Sequence, residues 1–209
     1  LFYAVSAAVS RSIPRFFEIQ SGEISINGQD IKKIPQKELR DKIGFVPQKA
    51  FLFSGTIEEN IRYGKEDASI EEVKHAASIA QADEFISDME DKYDSFVAQG
   101  GNNLSGGQKQ RISIARALVR KPEVYVFDDS FSALDFKTDK RLRKALKNEI
   151  KDSSAIIIAQ RISTIMDANQ IIVLNDGKIV GIGKHKDLLE NCEVYKQIAD
   201  SQLSKEELA

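Results

Sequence analysis

Val124-Tyr125-Val126-Phe127-Asp128-Asp129 is the stretch that decides the fold. Four apolar residues running into two carboxylates read as a buried strand whose acids emerge at its C-terminal end. In open α/β sheets that edge is where ligands bind. Asp128 stands where an acid can hold Mg²⁺ on a nucleotide, as acids do in phosphoryl-transfer sites. By itself the pair fits a plainer role equally well, ending a strand and capping the helix that follows.

The pattern around this strand supports a parallel sheet. A helix over about Gly107–Arg120 precedes it, and one with Leu142, Ala145, Leu146 and Ile150 on a single face follows. Strand Ala155–Ala159, a short helix near Ile162–Asp167 and strand Gln170–Leu174 come next. Asp176-Gly177 turns the chain so that Lys178–Val180 pairs back, and helices near Lys186–Glu190 and Val194–Leu203 finish it. Strand–helix alternation with continuous apolar strands predicts a parallel α/β sheet. In the first half, Phe2, Val5, Val9 and Ile13 recur at helical spacing up to Pro14, which predicts a helix over 1–13. Glu23–Ile26 alternates into an Asn27-Gly28 hairpin turn. Ile43–Val46 reads as a strand, Thr56–Ser87 as mostly helical with a break at Gly64, and Gly100–Asn103 as a loop.

Leu104-Ser105-Gly106-Gly107-Gln108 precedes an amphipathic helix. Glycines let backbone N–H groups face a ligand, and the helix dipole favours negative charge there, so the segment suits an anion. A glycine-rich turn with Ser105 as N-cap is the simpler reading of the same residues.

Composition narrows the classes. The 209 residues carry 30 Lys+Arg against 32 Asp+Glu, a formal charge of −2, which argues against nucleic-acid binding by bulk positive charge. Lys137, Lys140, Arg141, Arg143, Lys144 and Lys147 read as a solvated helix face. The single cysteine, Cys192, cannot form an internal disulfide and reads as a small hydrophobe. His75 and His185 have no neighbours at metal-ligand spacing. No apolar run reaches the length that crosses a bilayer. The first ten residues lack the basic start of a secretory signal, and the chain opens on Leu rather than Met.

Taken in order, these segments resemble the nucleotide-binding domain of ABC transporters. Ser105–Gln108 matches the family's signature motif, Val124–Asp128 its Walker B strand, and Ser132-Ala133-Leu134-Asp135 its D-loop. Gln48, after Val46-Pro47, stands where the Q-loop glutamine belongs. Phe53-Ser54-Gly55-Thr56-Ile57, then Glu59-Asn60-Ile61-Arg62-Tyr63-Gly64, is similar to the subdomain entrance of exporter-type members. The likeness runs from about Ile13 to Leu189. It implies one domain over residues 1–209, with a P-loop NTPase-like parallel sheet core, incomplete at its N-terminus, and an inserted α-helical subdomain at about 50–120. It implies ATP and Mg²⁺ as ligands, with Asp128 and Gln48 on the metal. Gln48, Ser105, Gly106, Gly107, Gln108, Asp128 and Asp135 would handle the nucleotide, and Asp129 and Gln160 would hold the catalytic positions.

Three departures qualify that picture. The family's P-loop, G-x-x-x-x-G-K-[ST], grips phosphates with its amides, Lys and hydroxyl. Here its slot falls on Leu1–Ala8, which contains neither Gly nor Lys. The residue after Asp128 is Asp129 where the family usually has Glu. A carboxylate one methylene shorter is withdrawn by about 1 Å, and misplacement on that scale costs on the order of 10²-fold in rate. The switch histidine expected after Ile156–Ala159 is Gln160, which can hydrogen-bond a γ-phosphate but carries no proton or charge.

Together the departures resemble the degenerate half of a heterodimeric exporter. In the family, two domains face head to tail, and each nucleotide lies between one chain's P-loop and the other's signature. This chain would thus lend Ser105–Gln108 to a partner's site, with Asp135 touching that partner. The exporter's membrane domains would keep it at the cytoplasmic face of the membrane, with no nucleic acid involved. Two readings compete. One is a non-transport ABC ATPase acting on DNA or ribosomes, disfavoured by the exporter-like Phe53–Gly64 segment. The other is a non-catalytic remnant, favoured by the P-loop slot. The resemblance also puts the strand that feeds the P-loop beside the Val124–Asp128 strand. Its loss would leave an apolar edge open to aggregation unless residues 1–12 or a partner cover it.

Overall fold

The computed structural model describes residues 9–203. Residues 9–12 are helical and Ile13 begins a turn, while the remainder of the helix expected over 1–13, the P-loop slot and the Lys205-Glu206-Glu207 tail lie outside the described residues. Strands β1 (Ser25–Ile26) and β2 (Gln29–Asp30) form the expected hairpin, with Asn27 and Gly28 both at positive φ in the turn. Helix α1 (Gln36–Asp41) leads into β3 (Ile43–Val46). A short strand β4 (Gly55–Thr56) opens the helical layer, made of α2 (Ile57–Arg62), α3 (Ile70–Ile79) and α4 (Asp83–Ser87). Thr56 and Ser69 start α2 and α3 with reciprocal capping boxes to Glu59 and Glu72, so both starts are written in the sequence. Strand β5 (Phe96–Val97) pairs back on β4, and α5 (Gly106–Leu118) returns the chain to the sheet.

The central sheet is parallel, in the order β3-β6-β7, where β6 is Val124–Asp128 and β7 is Ser154–Ile158, joined by α6 (Phe136–Glu149). Side chains of β6 alternate between two cores. Tyr125 and Phe127 stack 6.0 Å apart against the helical layer with Leu52, Ile61, Ile112 and Leu142. Val126 faces the other way, with Ile13, Ile31, Leu39 and Ile43. Covering both faces is what makes a parallel sheet viable. Each of these large side chains, fully buried, stabilises by roughly 1.5–3 kcal/mol before entropy is subtracted.

Helix α7 (Ile162–Ile165) leads to the β8 (Ile171–Asn175)–β9 (Lys178–Gly183) hairpin, followed by α8 (His185–Asn191) and α9 (Glu193–Gln202). These build a third core around Ile162, Val173, Leu188, Cys192 and Tyr195. Cys192 is buried there, and Gly181 is close enough that an added Cβ would stand 2.8 Å from its Sγ.

Two expectations are corrected. Among the described residues β8 does not join the parallel sheet; it pairs antiparallel with β9 alone, because the Asp176-Gly177 turn folds its partner directly onto it. Nor is the neighbour of β6 missing. Its hydrogen bonds are taken on both sides, from Ile43↔Val124 on β3 to Asp128↔Ile158 on β7. Among the described residues β3 and β7 are the edges of this sheet, and on β7 Ile156 is 37% exposed. Element boundaries also move: the helix expected to reach Arg120 ends at Leu118, since Pro122 lies just beyond.

Candidate nucleotide-facing site

Asp128 ends β6 and Asp129 follows it at the C-terminal edge of the sheet, each only 8% exposed. Asp128 Oδ2 accepts a hydrogen bond from the fully buried Ser10 hydroxyl at 2.9 Å. Asp129 is turned into the left-handed region, φ 47°, which Asp tolerates better than most residues. Its N–H donates to Ile158 at the end of β7 (2.8 Å), and its carbonyl accepts from the Ser132 hydroxyl (2.8 Å). Its Oδ2 accepts from Gln48 Nε2 at 3.1 Å and from Gln160 Nε2 at 3.4 Å. Four residues singled out in the sequence, Gln48, Asp128, Asp129 and Gln160, therefore stand at one sheet edge.

Gln48 is held there by residues that sequence reading missed. The hydroxyl of Ser130, fully buried, donates to the Val46 carbonyl (2.8 Å), and Gln110 Nε2, buried on α5, donates to the Pro47 carbonyl (3.0 Å). Ser10 was missed as well. The available signals were weak: a serine within an apolar helical stretch, and a glutamine at a core-facing position of α5.

The second group lies at the start of α5. Ser105 is its N-cap; its Oγ accepts from Gln108 N (3.3 Å), and Gln108 Oε1 accepts from Ser105 N (2.9 Å). The box leaves the amides of Gly106 and Gly107 without partners inside the helix. Ser105 and Gly106 are exposed, and an added Cβ on Gly106 meets nothing within 4 Å. Gly107 is tighter: a Cβ would come within 3.3 Å of the Ala133 carbonyl, so the Ser132–Asp135 loop packs on this helix start. Asp135 caps α6 by accepting from Thr138 N (3.0 Å), and bonds from the Thr138 side chain and backbone hold its carboxyl below the usual range. The Ser132–Asp135 loop lies between the two groups, bonded to Asp129 through the Ser132 hydroxyl and packed on the helix start at Ala133.

A metal ion would meet hard oxygen donors. Mg²⁺ is typically held by one or two carboxylates plus phosphates and water. Among the described residues no group of three or more His, Cys, Asp or Glu side chains could hold an ion unaided. The Asp128 carboxylate and the Gln48 amide oxygen fit an ion carried in by phosphates.

Beneath the helical layer Arg116 reaches the Asn60 carbonyl (2.7 Å), Asn60 Oδ1 (2.9 Å) and the Phe51 carbonyl (3.0 Å). Burial pushes its guanidinium down to about 10. It lies over the rings of Phe53 and Tyr63, which with Phe51 form an exposed aromatic face. His75 is a surface residue bonded to Glu149 (3.0 Å); of the basic run on α6, Arg143 bridges Asp139 and the Ser163 carbonyl, and the exposed Arg141 pairs with Glu84 (2.7 Å).

A parallel sheet with acids at its carboxyl edge, a glycine-led helix start and an appended helical layer define a P-loop NTPase-like α/β domain. The chain belongs to the ABC transporter family, whose sequence model matches residues 8–132. It is 47% identical over 194 residues to the ABC transporter ATP-binding protein YfiB of Bacillus subtilis, covering 93% of this chain and 34% of that protein. It is 39% identical over 202 residues to ABC transporter B family member 1 of Dictyostelium discoideum, covering 96% and 22%. It superposes on a bacterial Atm1-family ABC exporter with ATP bound, with a TM-score of 0.93 and 39% identity, over 97% of this chain and 36% of that one. The chain thus spans about a third or less of the length of these relatives. Among the described residues no helix is long and apolar enough to cross a membrane.

Proposed function

We propose that this chain is the ATP-binding part of an ABC exporter and that it contributes the Ser105–Gln108 helix start to a nucleotide held chiefly by a second nucleotide-binding domain. The observation that carries the reading is the exposed N-terminus of the 13-residue α5, capped by its own side chains yet with the Gly106 and Gly107 amides open to an anion. Those amides, with the Ser105 hydroxyl, would stabilise charge on a γ-phosphate. Residues 1–209 form one such domain on this reading, with the helical subdomain at about 50–120.

On the chain's own side, Asp128 and Gln48 would hold Mg²⁺ brought with ATP. The ion would neutralise phosphate charge. Asp129 and Gln160 occupy the positions that act on water and γ-phosphate, with weakened chemistry: a shortened carboxylate whose Oδ2 already accepts two amides. That supports an asymmetric pair in which this chain's own site turns over slowly. Asp135 would reach the partner domain from the Ser132–Asp135 loop. The aromatic face of Phe51, Phe53 and Tyr63 suits the membrane-embedded half of the exporter, which would keep the chain at the cytoplasmic face of the membrane.

ATP turnover by the chain paired with a catalytically intact partner domain tests the reading. Ser105→Arg fills the helix start with a bulky cation, and it is expected to lower turnover by on the order of 10²-fold, the scale of losing a preorganised phosphate-stabilising donor. Unchanged turnover would refute the proposal.

A further inference from the structure

Gln202 ends α9, 40 to 42 positions from the residues it touches. Its Oε1 accepts the Ile162 N–H at 2.9 Å, and its Nε2 donates to the Gln160 carbonyl at 2.8 Å. One side-chain amide thus pairs with the backbone on both sides of Arg161, its carbonyl accepting and its NH₂ donating. The Ile162 N–H opens α7, whose N-cap position, Arg161, supplies no side-chain bond. Ile162 is 3% exposed, so Gln202 satisfies a donor that the helix leaves orphaned. The helix that delivers the amide is itself fixed, with Tyr195 and Ala199 buried in the same core as Ile162.

Gln160 directs its own amide to Asp129 Oδ2. We infer that Gln202 is a positioning residue, clamping the backbone of the Gln160 segment so that the Gln160 side chain reaches Asp129, and so linking the C-terminal helix to the sheet-edge site. The importance of the Gln160 position rests on the functional reading above; the clamp itself does not.

The test uses the full chain and three variants at this exposed position, with hydrogen exchange and side-chain amide resonances followed by NMR. Gln202→Glu keeps the acceptor for Ile162, Gln202→Lys keeps a donor for Gln160, and Gln202→Ala keeps neither. The Ile162 amide is expected to exchange on the order of tenfold faster in the Ala and Lys variants and to stay protected in the Glu variant. The Gln160 side-chain resonances, assigned with Gln160→Glu, are expected to shift in the Ala variant and to return toward native values in the Lys variant. Unchanged Ile162 exchange in Gln202→Ala would overturn the inference. So would equal acceleration at Leu203, whose N–H bonds Ala199 within α9, since that would report fraying of the helix instead. Adding Mg-ATP to the native chain separates the two readings: Gln160 resonances that do not move, with Ile162 still protected, would count against the γ-phosphate role and leave the clamp standing.

Discussion

Gln48 donates its side-chain amide to Asp129 Oδ2 across 3.1 Å, and Gln160 donates to the same oxygen from the other side. The loop after β3 and the loop after β7 are therefore tied through one carboxylate at the end of β6. Asp129→Leu removes the acceptor and is expected to cost about 1–3 kcal/mol, the scale of losing hydrogen bonds made to a charged group. Asp129→Asn can keep its carbonyl toward both amides and should cost less than half as much. Urea unfolding of the two variants measures the difference, and equal losses would show that the tie contributes nothing.

Gly64 and Gly106 make opposite predictions about the same helix. A Cβ on Gly64 would run into the backbone carbonyl of Arg116 on α5 and stand 2.9 Å from Val119 Cγ1. Backbone of a packed helix cannot easily step aside, even here in its last turn, so Gly64→Ala is expected to destabilise by about 1–3 kcal/mol. At this chain length that is a fall in Tm of roughly 2–4 °C per kcal/mol. Gly106→Ala meets open space at the start of α5 and should leave the Tm unchanged or slightly raised. Thermal melts followed by circular dichroism distinguish the pair.

Much of this was legible from the residues, and what was not has a physical explanation. The capping boxes at Thr56 and Ser69, the β6 strand and the Asn27-Gly28 and Asp176-Gly177 turns are local, and short-range chemistry writes them directly into the chain. Family resemblance assigned Gln48 and Asp129 to one site, but their bond was not anticipated, because bonds between residues 81 positions apart leave no local pattern. Ser10 on Asp128 and Gln202 on the Gln160 segment were invisible for the same reason. The family resemblance put the P-loop strand beside β6, where β3 and β7 stand instead; apolar content could not correct it, since it shows that a strand is buried without saying which strands flank it. The Asp176-Gly177 turn announced that Lys178–Val180 pairs back on Gln170–Leu174, but not that the pair stands apart from the parallel sheet.

Alkaline pH should loosen two cores at once. Tyr125, 3% exposed beside Phe127, and Tyr195, 1% exposed and bonded to His185 Nδ1 at 2.8 Å, are both pushed up to about 12 by burial. An unfolded tyrosine ionises near 10. From about pH 10 to about 12 the unfolded chain therefore sheds protons that the folded chain keeps, and stability falls as pH rises. Below about 10 these groups contribute no pH dependence. Urea midpoints taken across that window should decline, and Tyr125→Phe or Tyr195→Phe should each flatten part of the decline. A profile identical in both variants would show that neither ring is coupled to folding.

The side of β7 left unpaired among the described residues and the outer face of the β8–β9 hairpin make self-association the chain's main liability in isolation. Ile156 on β7 is 37% exposed, and Ile172, Ile182 and Val180 on the hairpin are 53%, 55% and 42% exposed. The register pairs Ile172 directly with Ile182, so these side chains share one face of a two-stranded sheet. An unpaired strand edge flanked by apolar side chains is a template for another chain, and a charge placed on it is the usual remedy. Ile156→Lys puts an ammonium beside the free edge, and Ile182→Thr lowers apolarity while keeping a β-branched residue that suits the strand. Light scattering of the purified chain should show later and weaker aggregation for each variant, with the double variant slowest, while circular dichroism stays native. Equal scattering from native and double-variant chains would mean that association proceeds through another surface, for which the exposed Phe51, Phe53 and Tyr63 are the next residues to change.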